Sequence, residues 1–240
     1  MLKNELIELY KQENINYYEI LVRLHGVREK MLNLDFSINN LESIFDFERY
    51  VIYNRGAKKN KIEEIILEML HNLIISICES YNFDILFLND ALIKNTRDFE
   101  LKKLHKINLR ILNFSKEIFN ISIPRDFFST KRKGYALGML SRLLNYYEFP
   151  NKFDLFINAL QSSKDKLIIE AINELHYYYE NFPEKDLSQE IIRELNKIIL
   201  KTRSRTVATG LLNLQVITGH ISEFEALSEI DDWKEKFYYN

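Results

Sequence analysis

A chain of 240 residues that is 46% hydrophobic and 28% charged, with a formal net charge of -2, can bury a core, and it is neither a disordered tail nor basic all over. The balance, with a sequence pI near 6.3, excludes a surface that is one continuous nucleic-acid footprint but leaves room for a local basic patch. Three prolines, six glycines and one cysteine exclude a disulfide framework and a turn-rich β fold, so long helices in a reducing compartment are expected.

In chain order, Met1-Leu-Lys-Asn-Glu5 enters directly on a charged amphipathic pattern without a secretory leader. Leu2, Leu6, Leu9 and Tyr10 predict a helix, and Tyr17, Ile20, Leu21 and Leu24 continue or restart it up to His25-Gly26. Asn39-Asn40 supplies capping residues for a helix through Leu41, Ile44, Phe45, Tyr50 and Val51, which stops at Asn54-Arg55-Gly56. The strongest apolar stripe follows, from Ile62 through Ile66, Leu70, Leu73 and Ile77 to Tyr81, and predicts the central helix of the N-terminal half. Its most apolar window, 65–78, is interrupted by Glu68, His71 and Asn72, too polar and short for the roughly 20 apolar residues of a membrane span. A cytoplasmic protein off the membrane is therefore expected. Helices over Asp84–Leu92 and Asp98–Phe119 complete this half.

Residues 120–126 (NISIPRD) break the period, and the boundary between regions 1–120 and 121–240 is placed there. Beyond it come a long helix through Leu137, Leu140 and Leu144, closed by Phe149-Pro150, a short one through Leu155 and Leu160, and a long one through Ile168, Ile172 and Leu175, closed by Phe182-Pro183. Capping-box patterns at Asp186/Gln189 and Ser222/Glu225 start two more, with a helix through Val207, Leu211, Leu214 and Ile217 between them, ending at Gly219.

Three of these helices share a pattern: 140–147 reads LSRLLNYY, 171–178 AINELHYY and 210–217 GLLNLQVI. The aligned leucines, Leu144, Leu175 and Leu214, are 31 and 39 residues apart, close to the roughly 33–47 residues of one stacked helix pair. Small residues, Ala171 and Gly210, sit where neighbouring helices must approach. In these features the chain resembles HEAT-repeat proteins over about residues 131–238. The expected fold is all-α, a short right-handed α-solenoid of roughly five or six antiparallel helical hairpins. Residues 1–120 are either a helical N-terminal cap or earlier, degenerate repeats. The resemblance implies a scaffold whose surface binds another macromolecule, with no chemistry of its own.

Charge is placed in register with the repeats. Lys131, Arg132 and Lys133 precede the first repeat helix, Lys164 and Lys166 the second, and Lys201, Arg203 and Arg205 the third. Stacked hairpins would line these turns into a basic ridge over three helix N-termini. Cations there oppose the helix dipole, so local stability does not account for them, whereas an anionic ligand meets both the side chains and the free N–H groups. Tyr146-Tyr147, Tyr177-Tyr178-Tyr179 and Tyr238-Tyr239 recur at helix ends, where one ring of each group is expected to pack between layers and its neighbour to face outward. Trp233 is expected to seal the last helix.

Catalytic constellations are thin. Glu64, Glu68 and His71 share a helix face, but a di-iron site needs a second Glu-x-x-His, and neither His105 nor His176 has a glutamate three residues before it. Cys78 lies on the apolar stripe without a basic neighbour, and the spacing of Gly134 and Gly138 fits no phosphate loop. No metal and no cofactor are expected. The reading is a non-catalytic cytoplasmic interaction protein (adaptor, inhibitor or immunity-type) that binds an anionic protein face, or a nucleic acid, through the ridge; the oligomeric state stays open. The competing reading is a nucleic-acid enzyme, because DNA glycosylases that remove alkylated bases are built on HEAT-like repeats. That resemblance implies tryptophans and an acidic residue on a basic inner surface, whereas this chain places its one tryptophan, Trp233, beside Asp231 and Asp232 at the C-terminal end.

Overall fold

The computed structural model describes residues 2–12, 15–32, 38–54, 59–80, 99–144, 153–181 and 189–238. The helix expected over Asp84–Leu92, the stops at Gly56, Phe149-Pro150 and Phe182-Pro183, the Asp186 capping box, Tyr146, Tyr147, Tyr239 and the side chains of Cys78 and Tyr238 lie outside the described residues. Among the described residues there are eleven helices and no strand, so the protein is all-α. The chain divides into two compact units, Met1–Phe128 and Ser129–Asn240.

In the first unit α1 (Leu2–Lys11), α3 (Ile38–Tyr53) and α5 (Phe99–Asn120) lie side by side, while α2 (Tyr17–Leu32) packs on α4 (Lys59–Ser80). Asn16 caps α2 by accepting from the Glu19 N–H at 3.2 Å, which separates α1 from α2. The α3–α5 seam is set by Phe45 stacked on Phe114 at 4.1 Å and by a bidentate pair from Arg49 to Glu117, both bonds 2.6 Å. Arg110 pairs with Glu42 on the same seam, so α3 and α5 run in the same direction. Lys3 on Asp46 and Tyr10 edge-on to Tyr50 orient α1 likewise.

Helix α2 corrects one expectation: Gly26 does not stop it. The buried positions Ile20, Leu24 and Val27 keep the helical period across the glycine, which sits on the solvent face with no atom within 4 Å of a Cβ built there. Gly26→Ala is expected to stabilise the unit by about 0.5–1 kcal/mol, because it removes backbone entropy from the unfolded chain without a clash. The denaturant midpoint checks this; a lower midpoint would mean that the position needs glycine.

In the second unit the order of long and short helices is as read from the sequence: α6 (Ser129–Leu144), α7 (Asp154–Leu160), α8 (Asp165–Asn181), α9 (Gln189–Ile199), α10 (Arg205–Ile217) and α11 (Glu223–Tyr238). Every second helix is a neighbour. Helix α8 packs between α6 and α10, and α7 packs on both α8 and α9. Phe153, entering α7, meets Tyr178 near the end of α8 at 5.6 Å, so these two helices are antiparallel. Gly210 permits the approach of α10 to α8, since a Cβ there would lie 3.3 Å from Ile172 Cγ2.

The ends of α10 and α11 are chemically specified. Ser204 Oγ accepts from the Val207 N–H at the start of α10. At its end Gly219 adopts φ +67°, with its N–H on Val216 O and the His220 N–H on Gln215 O, a Schellman stop. Gly219→Ala is expected to lower stability by about 1 kcal/mol from left-handed strain alone, read as a drop in the denaturant midpoint. Ser222 and Glu225 form the reciprocal capping box of α11, at 2.7 and 3.2 Å. Trp233 is buried and donates to Thr202 O at 2.9 Å, which seals α11 onto the turn before α10. No helix among the described residues is long and apolar enough to cross a membrane.

Candidate functional site

The eight cations of the expected ridge fall at the starts of α6, α8 and α10. Helix α6 begins at Ser129, so Lys131, Arg132 and Lys133 lie within its first turns and not in the turn before it. Lys164 immediately precedes α8 and Lys166 is its second residue; Lys201 and Arg203 lie in the turn before α10, and Arg205 opens it. Lys164, Lys166, Lys201, Arg203 and Arg205 are exposed, and Lys131 and Lys133 are half-buried. Arg132 departs from the expectation: it is fully buried, 0% exposed, and so offers nothing to a surface ligand.

Side-chain contacts place these helix starts together. Lys164 Nζ donates to Thr130 Oγ1 at 3.3 Å, and further along Arg142 pairs with Glu174 at 3.1 Å, so α6 and α8 run in the same direction with their N-termini adjacent. Between α8 and α10 lies a groove of about 440 Å³, lined by Ile169, Asn173, Arg205, Thr206 and Asn213. Arg205, first in α10, thus stands beside Ile169, early in α8, and the third start joins the other two.

An acidic residue complements the helix dipole at only one of the three starts, through Asp165 of α8. Neither α6 nor α10 has an acidic residue in its first turn to complement the positive end of the helix dipole. The ammonium of Lys133 is held below the usual lysine range, first by burial and then by repulsion from Lys164 and Arg132. An anion placed across the three starts would relieve that repulsion and meet backbone N–H groups left over by the first helical turns.

Below the ridge the α6–α8 seam carries a polar band. The Arg142 guanidinium lies 3.2 Å above the Tyr177 ring and shares Glu174 Oε2 with the Ser141 hydroxyl. With side-chain exposures of 16% and 18%, Arg142 and Glu174 hold the layers together and are not offered outward. The tyrosine run is packed more deeply than expected: Tyr178 and Tyr179 are both buried, and only Tyr177 is half-exposed, beneath Arg142.

The first unit holds polar groups that were not singled out from the sequence. Glu48 on α3, Glu63 on α4 and His105 and Asn108 on α5 are all buried. The helical period carries the signal, since Glu48 is four residues from Ile44 and three from Val51 on the apolar face of α3, and Glu63 adjoins Ile62 and stands four before Leu67. Burial pushes the Tyr10 phenol up, helped by Tyr50 and Glu63. Glu64 and His71 are half-buried and Glu68 is exposed, and among the described residues no group of three or more His, Cys, Asp or Glu is arranged to hold a metal ion. No family model, no curated protein and no solved structure matches the chain.

Proposed function

We propose that this chain is a non-catalytic, cytoplasmic interaction protein whose second unit binds an anionic macromolecular partner, foremost an acidic protein face, across the starts of α6, α8 and α10. The observation that carries the reading is the Lys164–Thr130 contact at 3.3 Å, which brings the cations at the starts of α6 and α8 to one end of the layer. Cations at helix starts run against the helix dipole, and an external anion would offset both. Lys131, Lys133, Lys164, Lys166, Lys201, Arg203 and Arg205 would make the contact, with Arg132 withdrawn into the core.

The architecture we infer with it is a short right-handed α-solenoid of HEAT-like hairpins. Packing of α8 against α6 and α10, two helices back and two helices on, supports it. The glycosylase alternative gains nothing from the one tryptophan, because Trp233 is spent on sealing α11.

The test is affinity capture of the tagged chain from its native lysate, divided so that one half is treated with nuclease first. A stoichiometric protein that survives nuclease supports the reading, and its affinity should fall as salt screens the paired charges. Loss of every partner after nuclease would overturn it in favour of nucleic acid. Affinity would then drop steeply with salt, with a log–log slope of roughly -0.7 to -0.9 per phosphate neutralised.

A further inference from the structure

Helix α11 gives the second unit a surface of the opposite sign. Between α9 and α11 runs a groove of about 450 Å³ whose apolar lining is Ile199, Leu200, Trp233 and Phe237 and whose polar lining is Asn196, Glu229, Asp232 and Lys236. Its apolar lining is open to water at Leu200, which keeps 65% of its surface exposed. Helix α11 carries the same character outward, with Phe224 80% and Leu227 64% exposed.

The acidic lining lacks its complement. Among the described residues neither Glu229 nor Asp232 has a cation partner, because Lys234 is held by Asp231 at 2.7 Å and Lys236 donates to Leu200 O at 3.1 Å. Over its length α11 sets Glu223, Glu225, Glu229, Asp231, Asp232 and Glu235 against only Lys234 and Lys236. An apolar lining beside two unpaired carboxylates, three residues apart on one helix, fits a side chain with an aliphatic stem and a cationic head. Two such heads one helical turn apart match the two carboxylates when a partner helix lies along the groove, as helices pack ridge into groove.

We propose that the α9–α11 groove docks a basic amphipathic helix of a partner protein, with leucine-type side chains on Ile199, Leu200 and Phe237 and lysine or arginine heads on Glu229 and Asp232. The groove ends at Leu200, beside Lys201 of the ridge, and differs from the ridge in the two carboxylates that line it, Glu229 and Asp232. The protein is then a two-faced connector: an acidic partner binds at the starts of α6, α8 and α10, and a basic one at α11.

The probe is a synthetic amphipathic helical peptide with leucines at i, i+3, i+4 and i+7 flanked by arginines, titrated calorimetrically into the full chain, with a twin carrying glutamate for arginine. One-to-one binding of the arginine peptide and none of the twin is expected. Glu229→Lys with Asp232→Lys should weaken binding at least about tenfold, as should Leu200→Asp, while Glu190→Lys on the first turn of α9 should not. Unchanged circular dichroism establishes that each variant is folded, and Glu229→Gln with Asp232→Gln serves if the lysine pair is not. Reversing Lys133, Lys166 and Arg205 should leave this binding intact, which separates its failure from failure of the ridge. Equal binding of the twin, or indifference to the Glu229 and Asp232 changes, would overturn the site. Concentration-dependent dimerisation of the chain alone, abolished by those same changes, would overturn the partner and make the occupant a second copy.

Discussion

Lys133→Glu, Lys166→Glu and Arg205→Glu introduced together are expected to weaken binding of an anionic partner by about 100-fold, or ~2.7 kcal/mol, without lowering the melting temperature. Each reversal removes an attraction and adds a repulsion at the start of a different helix of the α6–α8–α10 layer. Stability should move the other way. At positions 166 and 205 a glutamate in the first turn complements the helix dipole by about 0.3–1 kcal/mol, and Lys133→Glu ends the repulsion from Lys164 and Arg132. The pH sign agrees: a lysine whose folded pKa lies below its unfolded value lowers stability while it is charged, and that loss is recovered as pH rises through the lysine range. A polyglutamate and a single-stranded oligonucleotide titrated into the chain, alongside thermal melts, check this prediction. Equal affinity in the variant would remove the ridge, and a melting temperature that falls with affinity would make these cations structural.

Leu175→Ala is expected to destabilise the second unit by about 3 kcal/mol, within the 2–5 kcal/mol range of such truncations in a packed interior. Leu175 is fully buried in α8, and α8 packs against α6, α7 and α10, so no single neighbour can move in to fill the space. Against a typical domain stability of about 5–15 kcal/mol, that loss is a large share. Chemical denaturation of the full chain followed by circular dichroism measures it; a loss below about 1 kcal/mol would mean that the site collapses freely. The aligned Leu144 is buried as deeply, but α6 packs closely on α8 alone among the described helices, so its truncation should cost less than that of Leu175.

Helix positions were legible because they depend on local chemistry. The 3.6-residue period located the helix cores, and Ser222 with Glu225 and Gly219 with its left-handed φ marked two of the ends. Gly26 misled because a glycine on an exposed helix face looks like a glycine past a helix end; only Val27, buried one residue on, separates the two. The ridge was legible as a cluster of charge but not in its orientation. With α6 starting at Ser129, three successive residues spread over roughly 200° of the helix surface, so Lys131, Arg132 and Lys133 cannot all face water beside a packed neighbour. Arg132 turns inward. Glu48, Glu63, His105 and Asn108 were missed for a related reason: charged and amide side chains read as solvent-facing until the helices that cover them are in place. The acidic groove by α11 depends on which helix lies beside α9, a contact that no local pattern in 189–238 announces.

The single tryptophan of the chain, Trp233, sits under α11 with its indole N–H on a backbone carbonyl. Excited selectively beyond the tyrosine band, it makes the protein's fluorescence a report on one event, the seating of the last helix. Undocking of α11 would hydrate the indole and shift its emission to the red before other helices respond, and unfolding confined to the first unit would be dark. Stopped-flow records at that wavelength would therefore time α11 alone, and circular dichroism on the same samples would time the rest.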